Sequence, residues 1–515
     1  MESTNIEILN ELKEVFQNIK CSTDKEKPAN LVDSSGESKI NKNQLENEFE
    51  ITEAKLDAIL TKIKDDSPDY CKVLSMITSI LYEKAKICLN SNLFDQSKAY
   101  LEKSLNLINN YIDNPQVTFI YLRVVNYLSY VVSRMGEFEK AKNLLEVVVN
   151  NELKSDPIVY STEDLFLSNQ SVEAVSKIKL QKLQINNMQM LGWIYGKLGM
   201  TNKYARTLHK SLQEELNIND GDPVHWATRC YRLASLFIAQ DRWENARYHL
   251  AAAQVVLDPL ELTTTPNTML FKAQGDLARV WVNYGLQLFG LSRRSILEKV
   301  WDENDEVKRQ EKKIDSNGFK FTGMDIHLPE VPTKEINNIQ EARELFTHTH
   351  KWLKRARLFY TLRDYPLQYV NIILELSELY RYLAFYEKDL DSQYDVNKKR
   401  FETLETLSSV LREVRPSCYA TMSIEIIREI MDVQVEMMNL NLKKLYNPTV
   451  DSSFNESDLK KRMETLTDIN FKISHLYNKQ NESTTASQIQ EGNKDLVAGT
   501  SDMNVAEGKQ TKTVK

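Results

Sequence analysis

Residues that break helices are in short supply in this chain of 515 residues: glycine occurs 14 times and proline 12, about half of average usage. That scarcity excludes the turn-rich β and α/β architectures. Cysteine is scarce as well. Its five copies (Cys21, Cys71, Cys88, Cys230, Cys418) are odd in number, scattered and without a C-x-x-C pair, so they read as reduced thiols and not as a disulfide scaffold or a zinc site. No apolar run approaches the roughly 18 residues of a membrane span. The acidic, helical start MESTNIEILNELKEVF has no signal-peptide pattern, so a cytoplasmic chain without membrane insertion is expected. Positive charge is not in excess. Lys and Arg number 66 against 73 Asp and Glu, for a net charge of −7, which leaves no footprint for nucleic acid.

Catalytic signatures are missing too. The chain contains no GxxxxGK[ST], GxGxxG, HExxH or GxSxG, so phosphate-cradling and nucleophile-elbow chemistry have no anchor. His348 and His350 form the one close histidine pair, and at i, i+2 they point to opposite sides of a helix. The carboxylates interleave with Lys at i, i+4, as on a solvated helix face. No catalytic residue, metal site or cofactor is expected. The chain reads as a non-enzyme.

What remains is helix. Hydrophobic residues make up 42% and charged residues 27% of the chain. A first helix is predicted over Ile6–Ile19 and a second over Leu45–Ile63, separated by a polar linker, and together they make an N-terminal block over 1–66. Helix follows helix through 67–257. A long helix occupies 258–300, with Leu270, Leu277, Val280, Trp281, Tyr284 and Leu288 facing inward. Residues 301–340 open on the charge run DENDEVKRQEKK, continue through the aperiodic FKFTGMDIHLPEVPTK, and read as an exposed flexible loop. Helices resume over 341–478, and the aromatic-free stretch 479–515 reads as disordered.

The block 67–257 repeats. A tetratricopeptide unit packs two antiparallel helices so closely that small residues are required where they cross. VVNYLSYVVSRMGEFEKAKNLLEVVV supplies Leu128, Ser129, Val132, Gly136, Phe138, Ala141 and Leu145 in that order. CYRLASLFIAQDRWENARYHLAAAQVVL supplies Leu233, Ala234, Phe237, Trp243, Ala246 and Leu250. MQMLGWIYGKLGMTNKYARTLHKSL gives Leu191, Gly192, Tyr195, Gly199 and Leu208, and a weaker upstream copy gives Leu81, Ala85, Cys88, Phe94, Ser97 and Leu101. Successive turns (Gly136, Gly199, Asp241) lie farther apart than the usual 34 or so residues, so the units have long helices or insertions. Tyr204 falls where a small residue belongs, which implies a rotated helix or a turn one residue longer that brings Ala205 to the contact. The expected architecture is all-α: a tetratricopeptide-like right-handed α-solenoid in two helical lobes, joined by a long helix and a charged loop.

Such an array curves, and its first helices line a concave trough. The repeat register places there Ser79, Tyr82 and Lys86, then Arg123, Asn126, Tyr130, Ser133 and Arg134. Next come Asn186, Gln189, Trp193 and Lys197, and finally Thr228, Tyr231 and Ser235. These polar and amphipathic aromatic side chains suit the binding of another protein's helix or peptide.

Several strings, the first of them the last repeat itself, resemble in their order the kinesin-binding protein family (KIF-binding protein). They are DPVHWATRCYRLASLFIAQDRWENARYHLAAAQVVL, LARVWVNYGLQLF from Leu277, EARELF at Glu341–Phe346, YRYLAFYEKDLDSQYDVNKKR at Tyr380–Arg400 and RPSCYATMSIEIIREI at Arg415–Ile430. The resemblance covers roughly 70–445. It implies a cytoplasmic, cytoskeleton-associated protein that binds kinesin motor domains, holds them off the microtubule and acts in axon growth and mitochondrial transport. It also implies that the trough engages the motor's microtubule-binding helix, and a chain of net charge −7 is drawn to the basic track-binding face of a motor. Two departures are Tyr204 and the polar stretch after Leu466–Tyr477, where the family continues in helices. An alternative reading is a generic tetratricopeptide adaptor or co-chaperone that grips an acidic C-terminal peptide, with Arg123, Asn126 and Arg134 as a partial clamp.

Overall fold

A computed structural model describes residues 42–63, 68–150, 160–165, 173–219, 221–261, 268–301, 317–414 and 420–446, together with Glu464 and Thr467. The helix expected over Ile6–Ile19, the loop residues 302–316 and nearly everything after 446 lie outside them. Helices in chain order are α1 (Lys42–Leu60), α2 (Pro68–Asn90), α3 (Phe94–Ile108), α4 (Thr118–Arg134), α5 (Phe138–Asn150), the single turn α6 (Thr162–Leu165), α7 (Glu173–Lys197), α8 (Thr201–Ile218), α9 (Pro223–Ala239), α10 (Trp243–Glu261), α11 (Thr268–Trp301), α12 (Ile339–Phe359), α13 (Pro366–Tyr386), α14 (Leu390–Val414) and α15 (Ala420–Tyr446). No strand occurs among the described residues.

Four hairpins close in the same way. Asn92, Gly136, Gly199 and Asp241 have left-handed backbones, with φ of +58°, +88°, +71° and +56°. In each, the amide after that residue donates to the carbonyl five residues back: Leu93 to Cys88 at 2.8 Å, Glu137 to Val132 at 2.9 Å, Met200 to Tyr195 at 2.8 Å and Arg242 to Phe237 at 2.9 Å. This is the Schellman closure, which satisfies carbonyls left over at a helix end and favours glycine at the left-handed residue. The second helix starts two residues later every time. The turn before Tyr204 is therefore no longer than the others. Its ring lies instead over Gly192 and Gly196, 3.8 Å from where a Cβ would stand on either, while Ala205 is fully buried.

The chain forms two compact units. The first comprises the described residues up to Arg229 plus Asn317–Met324, and the second comprises the rest. In the first unit, Leu101, Leu128, Val132, Leu145 and Leu191 form one continuous core over α3, α4, α5 and α7. Phe49 and Leu56 of α1 pack on Met76 and Ile80 of α2. In the second unit, Trp281 of α11 stacks on Trp352 of α12 with ring centres 5.6 Å apart, and Phe289 stacks on Tyr382 of α13 at 5.5 Å. The backbones come close because Gly285 has no side chain: a Cβ there would stand 1.9 Å from the Thr349 hydroxyl. Leu404 and Leu411 of α14 with Ile426, Ile430 and Val433 of α15 complete this core.

Residues 301–340, read from sequence as an exposed loop, are non-helical from 320 to 338 yet are not exposed throughout. Phe319, Phe321, Val331 and Ile336 are buried. The part that belongs to the second unit is strapped to α11. Tyr284 donates to the Pro332 carbonyl at 2.7 Å, the Ile336 amide donates to Ser292 Oγ at 2.9 Å, and Ser295 donates to Glu335 at 2.7 Å. A reciprocal cap then starts α12: the Glu341 amide donates to Asn338 Oδ1 at 2.9 Å, and the Glu341 carboxylate accepts from the Asn337 amide at 3.0 Å.

Candidate functional site

In the first unit α2 packs against α4 and α4 against α7, and many of the side chains placed on this face already have partners within the protein. Arg123 of α4 lies over the ring of Tyr82 of α2, 4.7 Å from its centre, and Tyr82 is 8% exposed. Lys86 pairs with the buried Glu83 carboxylate at 2.9 Å. Asn126 donates to Asn187 Oδ1 at 2.7 Å. Asn187 is thus the joining residue between α4 and α7, whereas Asn186 points outward. Gln189 donates to Glu215 at 2.6 Å, and Arg229 forks onto the same carboxylate. Thr228 donates back to the Val224 carbonyl at 2.8 Å.

Tyr82, Ser79 and Ser133 are buried in the first unit, and Tyr231 is buried in the second. Ser79 and Ser133 donate to carbonyls of their own helices, Ser75 and Tyr130, at 2.8 and 2.7 Å. Ser235 donates to the Tyr231 carbonyl at 3.2 Å. Of the four buried side chains, Tyr82 is covered from α4, by Arg123 and by Tyr127, whose ring centre is 5.2 Å away. Tyr130, Arg134, Asn186, Trp193 and Lys197 stay exposed. Trp193 rests edge-on against Phe138 at 6.0 Å, with the Lys197 ammonium 5.8 Å from its ring centre. This face is therefore more cationic than acidic, since its carboxylates Glu83 and Glu215 are paired.

The acidity is concentrated elsewhere. In the second unit, α11, α13 and α15 border a groove of about 450 Å³ whose walls carry Glu375, Glu378, Glu425, Glu429 and Asp432 against Arg279, Arg381 and Arg428. It adjoins a second hollow of about 550 Å³ through the shared walls Arg279 and Glu375, and there Phe271, Val280, Phe359, Tyr360 and Tyr365 present apolar surface. Val280, expected to face the core, lines this hollow. Burial pushes the Glu375 carboxyl above its usual range despite Arg279, which donates to it at 2.5 Å. Its other oxygen, Oε2, is buried without a hydrogen-bond partner. Burial also acts to raise Glu429, but the fully buried Arg400 guanidinium on α14 and the Ser377 hydroxyl hold it below the usual carboxylate value. Arg400 also reaches Glu436 at 2.9 Å and Ser377 at 2.8 Å, so one buried cation fixes the groove's rear wall across three helices. Sequence reasoning passed over these residues. Carboxylates spaced along α13 and α15 look like ordinary solvated faces until the two helices are set side by side.

The two histidines point apart, as their spacing requires. His348 lies edge-on to Trp281 at 4.8 Å and accepts from Trp352 Nε1 at 3.1 Å, while His350 turns to Phe346 and Tyr380 at 5.5 and 6.3 Å. Among the described residues no three His, Cys, Asp or Glu side chains gather around a metal-sized point, and no helix is long and apolar enough to cross a membrane.

Comparison with known proteins gives a consistent answer. The family model described as KIF-1 binding protein C terminal matches residues 224–494. KIF-binding protein of Drosophila melanogaster is 24% identical over 364 residues, which cover 65% of this chain and 60% of that protein. The Gallus gallus protein of the same name is 25% identical over 354 residues, covering 63% and 59%. The chain thus spans about three fifths of the length of the curated relatives it matches. A solved structure of kinesin binding protein (KBP) superimposes with a TM-score of 0.57 at 18% identity, over 91% of this chain and 81% of that one, and shares its all-α fold.

Proposed function

The chain belongs to the family described as KIF-1 binding protein C terminal, and on that premise we propose that it binds kinesin motor domains and works by occupancy, not by catalysis. Held in this way, a motor is kept off the microtubule, so the protein regulates microtubule-based transport, including axon outgrowth and the carriage of mitochondria, from the cytoplasm and at the cytoskeleton. The observation that carries the reading is the groove of the second unit, inside the matched region 224–494. Its wall of five carboxylates against three guanidinium groups complements a basic helix, and a surface that grips an acidic track is basic. The apolar hollow beside it receives the helix's non-polar side.

Co-sedimentation tests this. With a non-hydrolysable nucleotide, excess protein is expected to move a susceptible motor from the microtubule pellet to the supernatant. A Glu425→Lys/Asp432→Lys variant, which reverses two exposed charges, is expected to need at least tenfold more protein, on the order of 1.4 kcal/mol. A motor that stays in the pellet at any excess of protein defeats the reading. The alternative, an adaptor for acidic C-terminal peptides, draws on exposed Arg134 and Lys197. Against it, Arg123 and Lys86 are occupied with Tyr82 and Glu83. Capture by an EEVD-ending peptide would favour that alternative.

A further inference from the structure

In the first unit a short non-helical segment is held as a peptide is held by a receptor. Asn317–Phe319 makes one 3-10 turn, and beyond it side chains alternate: Phe319 in, Lys320 out, Phe321 in, Thr322 out. The two inward rings are 4% and 6% exposed. Phe321 stacks on His209 of α8 at 4.6 Å and tilts against Trp226 of α9 at 5.3 Å, and Phe319 meets the edge of His209 at 5.4 Å. Trp226 is fixed in that pose by donating to the Leu212 carbonyl at 2.9 Å. The backbone is read as well. Gln213 accepts from the Thr322 amide at 2.8 Å and donates to the Thr322 carbonyl at 3.3 Å, the paired contact that a neighbouring strand would make. Gly323, with φ of +81°, then turns the chain away.

Alternate aromatic side chains in pockets and a main chain gripped by a side-chain amide are the means by which an extended peptide is recognised. We infer that the slot between α8 and α9 is a peptide-binding site for extended aromatic-x-aromatic segments, and that its resident ligand is the chain's own Asn317–Thr322. A tethered ligand competes at an effective concentration on the order of millimolar, so a segment of another protein enters only when the internal one is displaced. The site is separate from the acidic groove and its existence does not depend on kinesin binding.

Fluorescence polarisation with a labelled NGFKFTG peptide tests the assignment on the full chain. A Phe319→Ser/Phe321→Ser variant vacates the slot and is expected to bind the peptide at least tenfold more tightly than the unaltered chain. The same peptide with both Phe replaced by Ser should bind neither. If the double variant loses its helical circular dichroism, Thr322→Pro serves instead: it removes the amide that Gln213 accepts from and restricts the backbone of Phe321 while keeping both rings, and a gain of at least threefold is expected. Failure of the folded variants to bind at millimolar peptide, or equal binding of the Ser-substituted peptide, overturns the site and leaves the two rings as ordinary packing.

Discussion

At the scale of single residues, the buried cations and imidazoles carry the most consequence. Burial among aromatic rings pushes His209 down to about 4, against the opposing pull of a hydrogen bond with the Lys320 main chain. Its folded form is neutral where an unfolded imidazole, at about 6.5, already holds a proton. The stability this gives is complete above about pH 6.5 and is lost as the pH falls toward 4, at about 1.4 kcal/mol per pH unit. Burial moves His348 in the same direction, also to about 4, helped by Lys351. Chemical denaturation at pH 7.5 and 5.5 should therefore show a fall in stability, shallower by about 1 kcal/mol in a His209→Gln variant. An unchanged slope would contradict the burial argument. None of this was legible in the sequence. Histidine and arginine carry no periodic mark of burial, and Arg400, fully buried, sits in a string (DVNKKR) that reads as solvent-facing.

At the scale of elements, the sequence was much more informative. Small residues at helix crossings and a turn residue two places before each second helix identified all four hairpins, because close packing and left-handed backbone restrict which residues fit. The same logic predicts the effect of changing the turn residue. Asp241→Gly relieves a left-handed aspartate and should raise stability by about 0.5–1 kcal/mol, whereas Gly136→Ala should lower it by about 1–2 kcal/mol, both read from denaturant midpoints. A loss in the first or a gain in the second would remove the Schellman reading of these turns. The segment 317–338 escaped this logic. It has no helical period, and its charged neighbours 302–313 coloured the whole stretch as solvent-exposed. Its Phe-Lys-Phe alternation was the available signal. The burial of Tyr82 and Tyr231 was out of reach for a related reason: register places a residue on a helix face and says nothing of a neighbour that covers it.

At the scale of the molecule, a net charge of −7 conceals an uneven distribution. The first-helix face of the first unit keeps exposed Arg134 and Lys197, while the second unit gathers carboxylates along its groove. If the proposed binding of motors runs through that groove, it depends on salt, because exposed charges are screened beyond about 10 Å at 0.1 M and about 3 Å at 1 M. Release of a motor from microtubules should then need several-fold more protein as salt in the binding step is raised from 50 to 200 mM, after correction for the motor's own weakening on its track. A salt-independent affinity would point to the apolar hollow alone.

Each of the four bends is closed by a main-chain bond to a carbonyl only five residues back, and none of these closing bonds takes its partner from another hairpin. Length differences are consequently cheap in one place and ruinous in another. Between Asn150 and Glu173 lie 22 residues, more than a tight helix connection needs, so a change of length there leaves every bend as it is. A tag or reporter inserted there should leave the scaffold standing, whereas one inserted at any of the four bends should open it.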